Sequence, residues 1–146
     1  MFKHILLPID DSPASRKAVR KAIAFAAEIG ARITGYHAVP KDAGGVYGEG
    51  YSFSTARQSG EMKRQARHSR SAERAAAEAR STGVRYRTVV GEASSPEEGI
   101  LSAARARKCD IILIGTHGRR GLARLALGSV AEQVIRQATI PVLVVR

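Results

Sequence analysis

The sequence has one cysteine, Cys109, no tryptophan, and few aromatic residues, at 5% of the chain. A single cysteine excludes an intramolecular disulfide framework and a cysteine-based zinc site. No stretch approaches the ~18 uninterrupted apolar residues of a membrane span, so a transmembrane protein is not expected. The start, Met1-Phe2-Lys3-His4, runs directly into an apolar segment. It lacks the basic region, long apolar stretch and small-residue cleavage site of an export signal, which leads us to expect a cytoplasmic protein. Acidic residues are also scarce, with 13 Asp and Glu against 24 Lys and Arg, for a net charge of +11. Such a balance favours anionic partners, nucleotides, nucleic acid or anionic surfaces, without choosing among them.

What is present fits an ordinary globular chain. The 146 residues, 44% apolar and 25% charged, predict one domain over 1–146 with a core that needs no staple.

Apolar segments and helical periods alternate along it. Ile5 to Ile9 is a short apolar run expected as a buried strand, followed by the turn residues Asp10-Asp11-Ser12. Ser12 is placed to cap a helix that has Pro13 at its first position and stops at Gly30. Arg32 to Val39 reads as a second strand closed by Pro40. From 41 to 59 the chain is rich in Gly, Ser and aromatics without a period, the pattern of a mobile loop. Glu61 to Arg80, free of Pro and Gly, predicts one mostly exposed helix.

Val84 to Val90 then reads as a strand, Pro96 to Lys108 as a helix, Asp110 to Ile114 as a strand, Ser129 to Gln137 as a helix and Pro141 to Val145 as a last strand. Apolar strands separated by helices imply an α/β fold, a parallel sheet covered on both faces with right-handed crossovers.

In such a sheet the binding crevice lies beyond the carboxyl ends of the strands. Asp10 follows the first strand, and after the fourth comes Gly115-Thr116-His117-Gly118-Arg119, continuing to Gly128-Ser129-Val130 with the spacing Gly-x2-Gly-x9-Gly-Ser. Glycines let the backbone approach a phosphate, and amides at the start of a helix present N–H groups to an anion. Ser129 is a candidate cap and hydroxyl donor; Arg119, Arg120 and Arg124 are candidate phosphate partners. Each part has an ordinary alternative: turn glycines, a helix start, solvated arginines, and Asp10 as a cap of the first helix. Only the combination points to a nucleotide.

With these residues in view, the chain resembles the universal stress proteins, a family of the adenine nucleotide α-hydrolase-like fold, from Lys3 through Ser12, across Asp110 to Gly118, and again at Pro141 to Val145. The resemblance implies a single-domain, five-stranded parallel sheet of order 3-2-1-4-5. The glycine spacing resembles the family's ATP-binding branch. That branch implies adenosine against Pro8, Ile9, Asp10 and the backbone of Ala38, ribose near Ile114 and Gly115, and phosphates at Gly118, Arg119, Gly128, Ser129 and Val130. Ala131 departs from the pattern, removing one hydroxyl donor, and the 41–59 loop matches nothing in it.

The resulting expectation is an ATP-binding stress-response module with Mg²⁺ or Mn²⁺ as companion cation, at most slow ATP hydrolysis, and an unidentified protein partner. An ATP-using enzyme is the alternative, disfavoured because Gly-x4-Gly-Lys-Ser/Thr, His-x-Gly-His and Ser-Gly-Gly loops are all missing. Nucleic-acid binding through the arginines of 57–80 is also disfavoured, since Glu61, Glu73 and Glu78 interrupt that stretch. Val142 to Val145 forms an apolar edge, expected to pair antiparallel with a second copy.

Overall fold

A computed structural model describes residues 1–41, 56–116 and 127–146. The chain opens with β1 (His4–Pro8), whose Ile5, Leu6 and Leu7 are fully buried. Each such side chain contributes about 1.5–3 kcal/mol on leaving water. Helix α1 (Pro13–Ile29) follows: the Ser12 side chain accepts from the Ser15 amide, Pro13 occupies the first turn, and Gly30 ends the helix with φ of 69°. That left-handed conformation suits glycine. The next elements are β2 (Arg32–Pro40), α2 (Ala56–Arg67), α3 (Arg70–Ser81), β3 (Tyr86–Ala93), α4 (Pro96–Ala106), β4 (Ile111–Gly115), α5 (Ser129–Gln137) and β5 (Val142–Val145).

All strand pairs are parallel and the sheet order is β3-β2-β1-β4-β5. Helices α1 and α3 cover one face, where Val19, Ile23, Ala75 and Ala79 meet Ile5, Leu7 and Ile33. Helices α4 and α5 cover the other, where Ile100, Leu101 and Val134 meet Leu6, Ile112 and Ile114.

Three expected elements change by more than two residues. The single helix over 61–80 is two helices, because Ser69 turns extended and its side chain accepts from the Ala72 amide, starting α3 anew. Residues 56–59, expected within the 41–59 loop, belong to α2; 42–55 lie outside the described residues. The third strand starts later than Val84, whose amide still bonds to Ala79 at the end of α3, and runs on to Ala93 because β2 offers partners as far as Pro40.

Two tyrosines lock β2 to β3 from opposite faces. Tyr86 of β3 lies over Gly35, while Tyr36 of β2 lies over Gly91 and over Gly99 of α4. A Cβ at any of these three glycines would overlap a tyrosine ring or hydroxyl.

Candidate functional site

The strand ends define the site. Pairing of β1 with β2 continues to Pro8 beside Tyr36, and that of β4 with β5 to Gly115 beside Val145. Pairing between β1 and β4 stops at Leu6 beside Ile112. The two central strands therefore separate toward their carboxyl ends while each stays held by its outer neighbour. This is the point where strand order reverses, the place at which doubly wound sheets open a crevice.

On the β1 side, Pro8 is half-buried and Ile9 is buried, its amide donating to the Tyr36 carbonyl at 2.9 Å. Asp10 is half-buried, and its Oδ1 accepts from the Ser12 amide at 2.8 Å, while its own amide donates to Ser15 Oγ at 3.0 Å. The carboxylate thus stiffens the turn into α1, and among the described residues its second oxygen accepts no further bond. Ser12, not Asp10, caps the helix, which settles the alternative left open by the sequence. Ala38 lies two residues beyond Tyr36 on β2, half-buried against the α4 side.

On the β4 side, Ile114 is buried and Gly115 half-buried. A Cβ on Gly115 would meet the Ala14 carbonyl at 3.3 Å and Ala18 Cβ at 3.4 Å, so this glycine admits the first turns of α1 close to the strand. Thr116, which sequence reasoning did not single out, closes the next turn. Its amide donates to the Val145 carbonyl at 3.1 Å, and its carbonyl accepts from the Gly128 amide at 2.6 Å. The start of α5 is thereby tied to the end of β4. Gly118 and Arg119, with Arg120 and Arg124, lie outside the described residues.

Gly128 takes the cap position of α5 and has no side chain to offer; Ser129 is the first helical residue rather than the cap. In α1, α3 and α4 a serine hydroxyl occupies an orphan amide of the first turn, whereas α5 makes no such bond. Among the described residues nothing accepts from the amides of Ser129 and Val130, and the positive end of the helix lies behind them. Ser129 is exposed and Val130 half-buried, so an external acceptor can reach them from solvent.

His37 is a further residue at this end of the sheet that the sequence did not flag. It is buried, 7% exposed, and its Nε2 has no hydrogen-bond partner among the described residues. Burial lowers its pKa, opposed by the carboxylates of Asp11 and Asp10. The signal was present, a histidine beside Ala38, but its burial depends on strand pairing that the sequence does not display. Among the described residues, no group of three or more His, Cys, Asp or Glu side chains could hold a metal ion.

A family model described as the universal stress protein family matches residues 1–146. Among curated proteins, one from Thermus aquaticus with that designation is 37% identical over the whole of both chains. Universal stress protein MJ0531 of Methanocaldococcus jannaschii is 34% identical over all of this chain and 83% of its own. Among solved structures, MJ0577 superposes with a TM-score of 0.77 at 25% identity, covering 99% of this chain and 96% of the other. Two more distant structures share the fold, one solved in complex with cAMP (TM-score 0.62, 23% identity, 99% and 97% covered). The other, from Archaeoglobus fulgidus, was solved in complex with dAMP (TM-score 0.67, 20% identity, 100% and 98% covered).

Proposed function

Since the chain belongs to the universal stress protein family, we propose that it is a cytoplasmic regulatory module that binds ATP in the crevice between β1 and β4. In this reading adenosine lies against Pro8, Ile9, Asp10 and the backbone of Ala38, and ribose against Ile114 and Gly115. The phosphates meet the amides at Gly128, Ser129 and Val130 together with Gly118 and Arg119.

The observation that carries the reading is the end of β1–β4 pairing at Leu6 and Ile112, beside a helix start with no side-chain cap. Solved proteins of this fold hold cAMP and dAMP, so the fold admits an adenine nucleotide. The chemistry suits a triphosphate: N–H donors and a helix dipole attract anionic oxygens, and the second oxygen of Asp10 accepts a ribose or base N–H or O–H. With no described three-ligand cluster, a companion Mg²⁺ or Mn²⁺ would be held mainly through phosphate oxygens.

In this proposal the function is binding rather than turnover. The sequence has none of the Gly-x4-Gly-Lys-Ser/Thr, His-x-Gly-His or Ser-Gly-Gly loops of ATP-using enzymes. Steady-state hydrolysis should stay below about one per second, the low end of enzymatic rates. Bound nucleotide would change the surface around the crevice and hence what a protein partner meets, while the β5 edge pairs with a second copy.

Isothermal calorimetry of the full chain with ATP tests the reading. Saturable binding is expected, and no detectable binding at millimolar ATP would overturn it.

A further inference from the structure

A cleft of about 220 Å³ runs between α1 and α3, on the sheet face opposite α5. Its floor is apolar, made by Ile9, Val19 and Ala75. Its walls are not: Arg16 and Arg20, one turn apart on α1, face Arg74 of α3 across it. Among the described residues none of these three guanidinium groups is ion-paired; the pairs found are Lys63–Glu92, Arg64–Glu61 and Arg136–Glu132. Arg16 has only a long contact, 3.4 Å, to the Asp11 carbonyl.

Three like charges converging on a cleft repel one another, and the two carboxylates on the same lining, Asp10 and Glu78, offset only two of them. Asp10 is held by the Ser12 amide, and Glu78, though it also lines the cleft, ion-pairs with none of the three. At each helix start one amide, that of Ser15 in α1 and of Ala72 in α3, is already taken by a serine hydroxyl. An anion here would therefore be gripped by the arginine forks, which match the geometry of phosphoryl oxygens. Glu78 and the Ser71 hydroxyl, at the α3 wall, are suited to ligand hydroxyl groups. The cleft, about 220 Å³ and open to solvent, has room for a phosphoryl group carrying a few hydroxylated carbons.

We propose that this cleft binds a small hydroxylated phosphate monoester, its phosphoryl group held by Arg16, Arg20 and Arg74. The site adjoins the nucleotide crevice, sharing Ile9 and Asp10 with it, while its three arginines stand on α1 and α3. It does not rest on the ATP reading.

The test titrates ¹⁵N-labelled full chain with ribose 5-phosphate, with inorganic phosphate, and with sodium chloride at matched ionic strength. The expected result is saturable shifts of the Arg16, Arg20 and Arg74 side-chain N–H signals and the Ser71 and Ala75 amides. Ribose 5-phosphate should bind at least tenfold tighter than inorganic phosphate. The exposed double change Arg20→Gln with Arg74→Gln should weaken it at least tenfold and leave ATP calorimetry unchanged. Shifts reproduced by chloride, or equal affinity for both phosphates, would overturn the proposal, as would loss of ATP binding in the double variant. If the wild-type chain binds no ATP, the ATP reading fails while the ribose 5-phosphate titration still decides this one.

Discussion

The carboxylate of Asp110 accepts the backbone amides of Lys3, at 2.8 Å, and His4, at 3.0 Å, clasping the turn before β4 to the start of β1. Both strands that form the crevice are thus pinned at their amino ends, which leaves their carboxyl ends as the place to separate. Asp110→Ala orphans two amides and should cost about 2 kcal/mol or more. Asp110→Asn keeps one acceptor oxygen and should cost less. Urea unfolding of both variants checks the order; equal stabilities would show that the clasp contributes nothing.

The same end of the sheet predicts a pH dependence. The Arg32 guanidinium donates to His4 Nδ1 at 3.1 Å, so Nε2 carries the proton and donates to Thr34 Oγ1 at 2.8 Å. Burial, then the Arg32 charge, lowers the His4 pKa below its ordinary 6.5. A folded pKa below the unfolded one means that the unfolded chain binds more protons in that window. This contribution is complete above about pH 6.5 and is lost as pH falls through the folded pKa. Urea midpoints should drop from pH 7.5 to 5.5, and His4→Gln should flatten the drop. An unchanged slope in the variant would remove His4 from the account, leaving His37, whose pKa is also lowered.

Gly35→Ala should destabilise by about 1–3 kcal/mol, the usual cost of overpacking a core, because the new methyl meets the Tyr86 hydroxyl and ring. Shortening the partner, Tyr86→Val, should recover part of that loss in the double variant. Strict additivity of the two changes, measured by thermal unfolding, would mean the ring moves aside freely.

What the sequence displayed, and what it did not, follows from the range of the interactions. Ser12, Pro13 and Gly30 act on their own helix, so the bounds of α1 were legible residue by residue. Ser69 is as local, but the strong helix formers on both sides of it hid the break. The limits of β3 are set by β2, and the Tyr36–Gly91 and Asp110–His4 contacts join residues far apart in the chain, which periodicity does not record. For the crevice, Asp10, Gly115 and the start of α5 were marked by turn chemistry, whereas Thr116 and His37 acquire their roles only from neighbouring strands.

At the far edge, β5 pairs only with β4 among the described residues, and Leu143 is 37% exposed. A lysine there is the device by which edge strands avoid pairing. Leu143→Lys should convert the proposed dimer to monomer by sedimentation without lowering the thermal midpoint beyond a few degrees. A dimer that survives the change would move the interface elsewhere.

The helix start at α5 allows one amide to be deleted without disturbing the fold. Ser129 is the first helical residue, where proline is well tolerated because its missing N–H has no partner within the helix. The residue before it, Gly128, already has φ of −61° and ψ of 148°, the extended conformation that a following proline demands. Ser129→Pro should therefore leave the unfolding midpoint nearly unchanged while removing one N–H from the phosphate site. Losing a hydrogen bond to a charged group costs about 1.5–3 kcal/mol, so ATP should bind roughly ten- to a hundredfold more weakly. Ser129→Ala, which removes only the hydroxyl, should bind ATP better than the proline variant. If calorimetry gives wild-type affinity for Ser129→Pro, the phosphates do not rest on this helix.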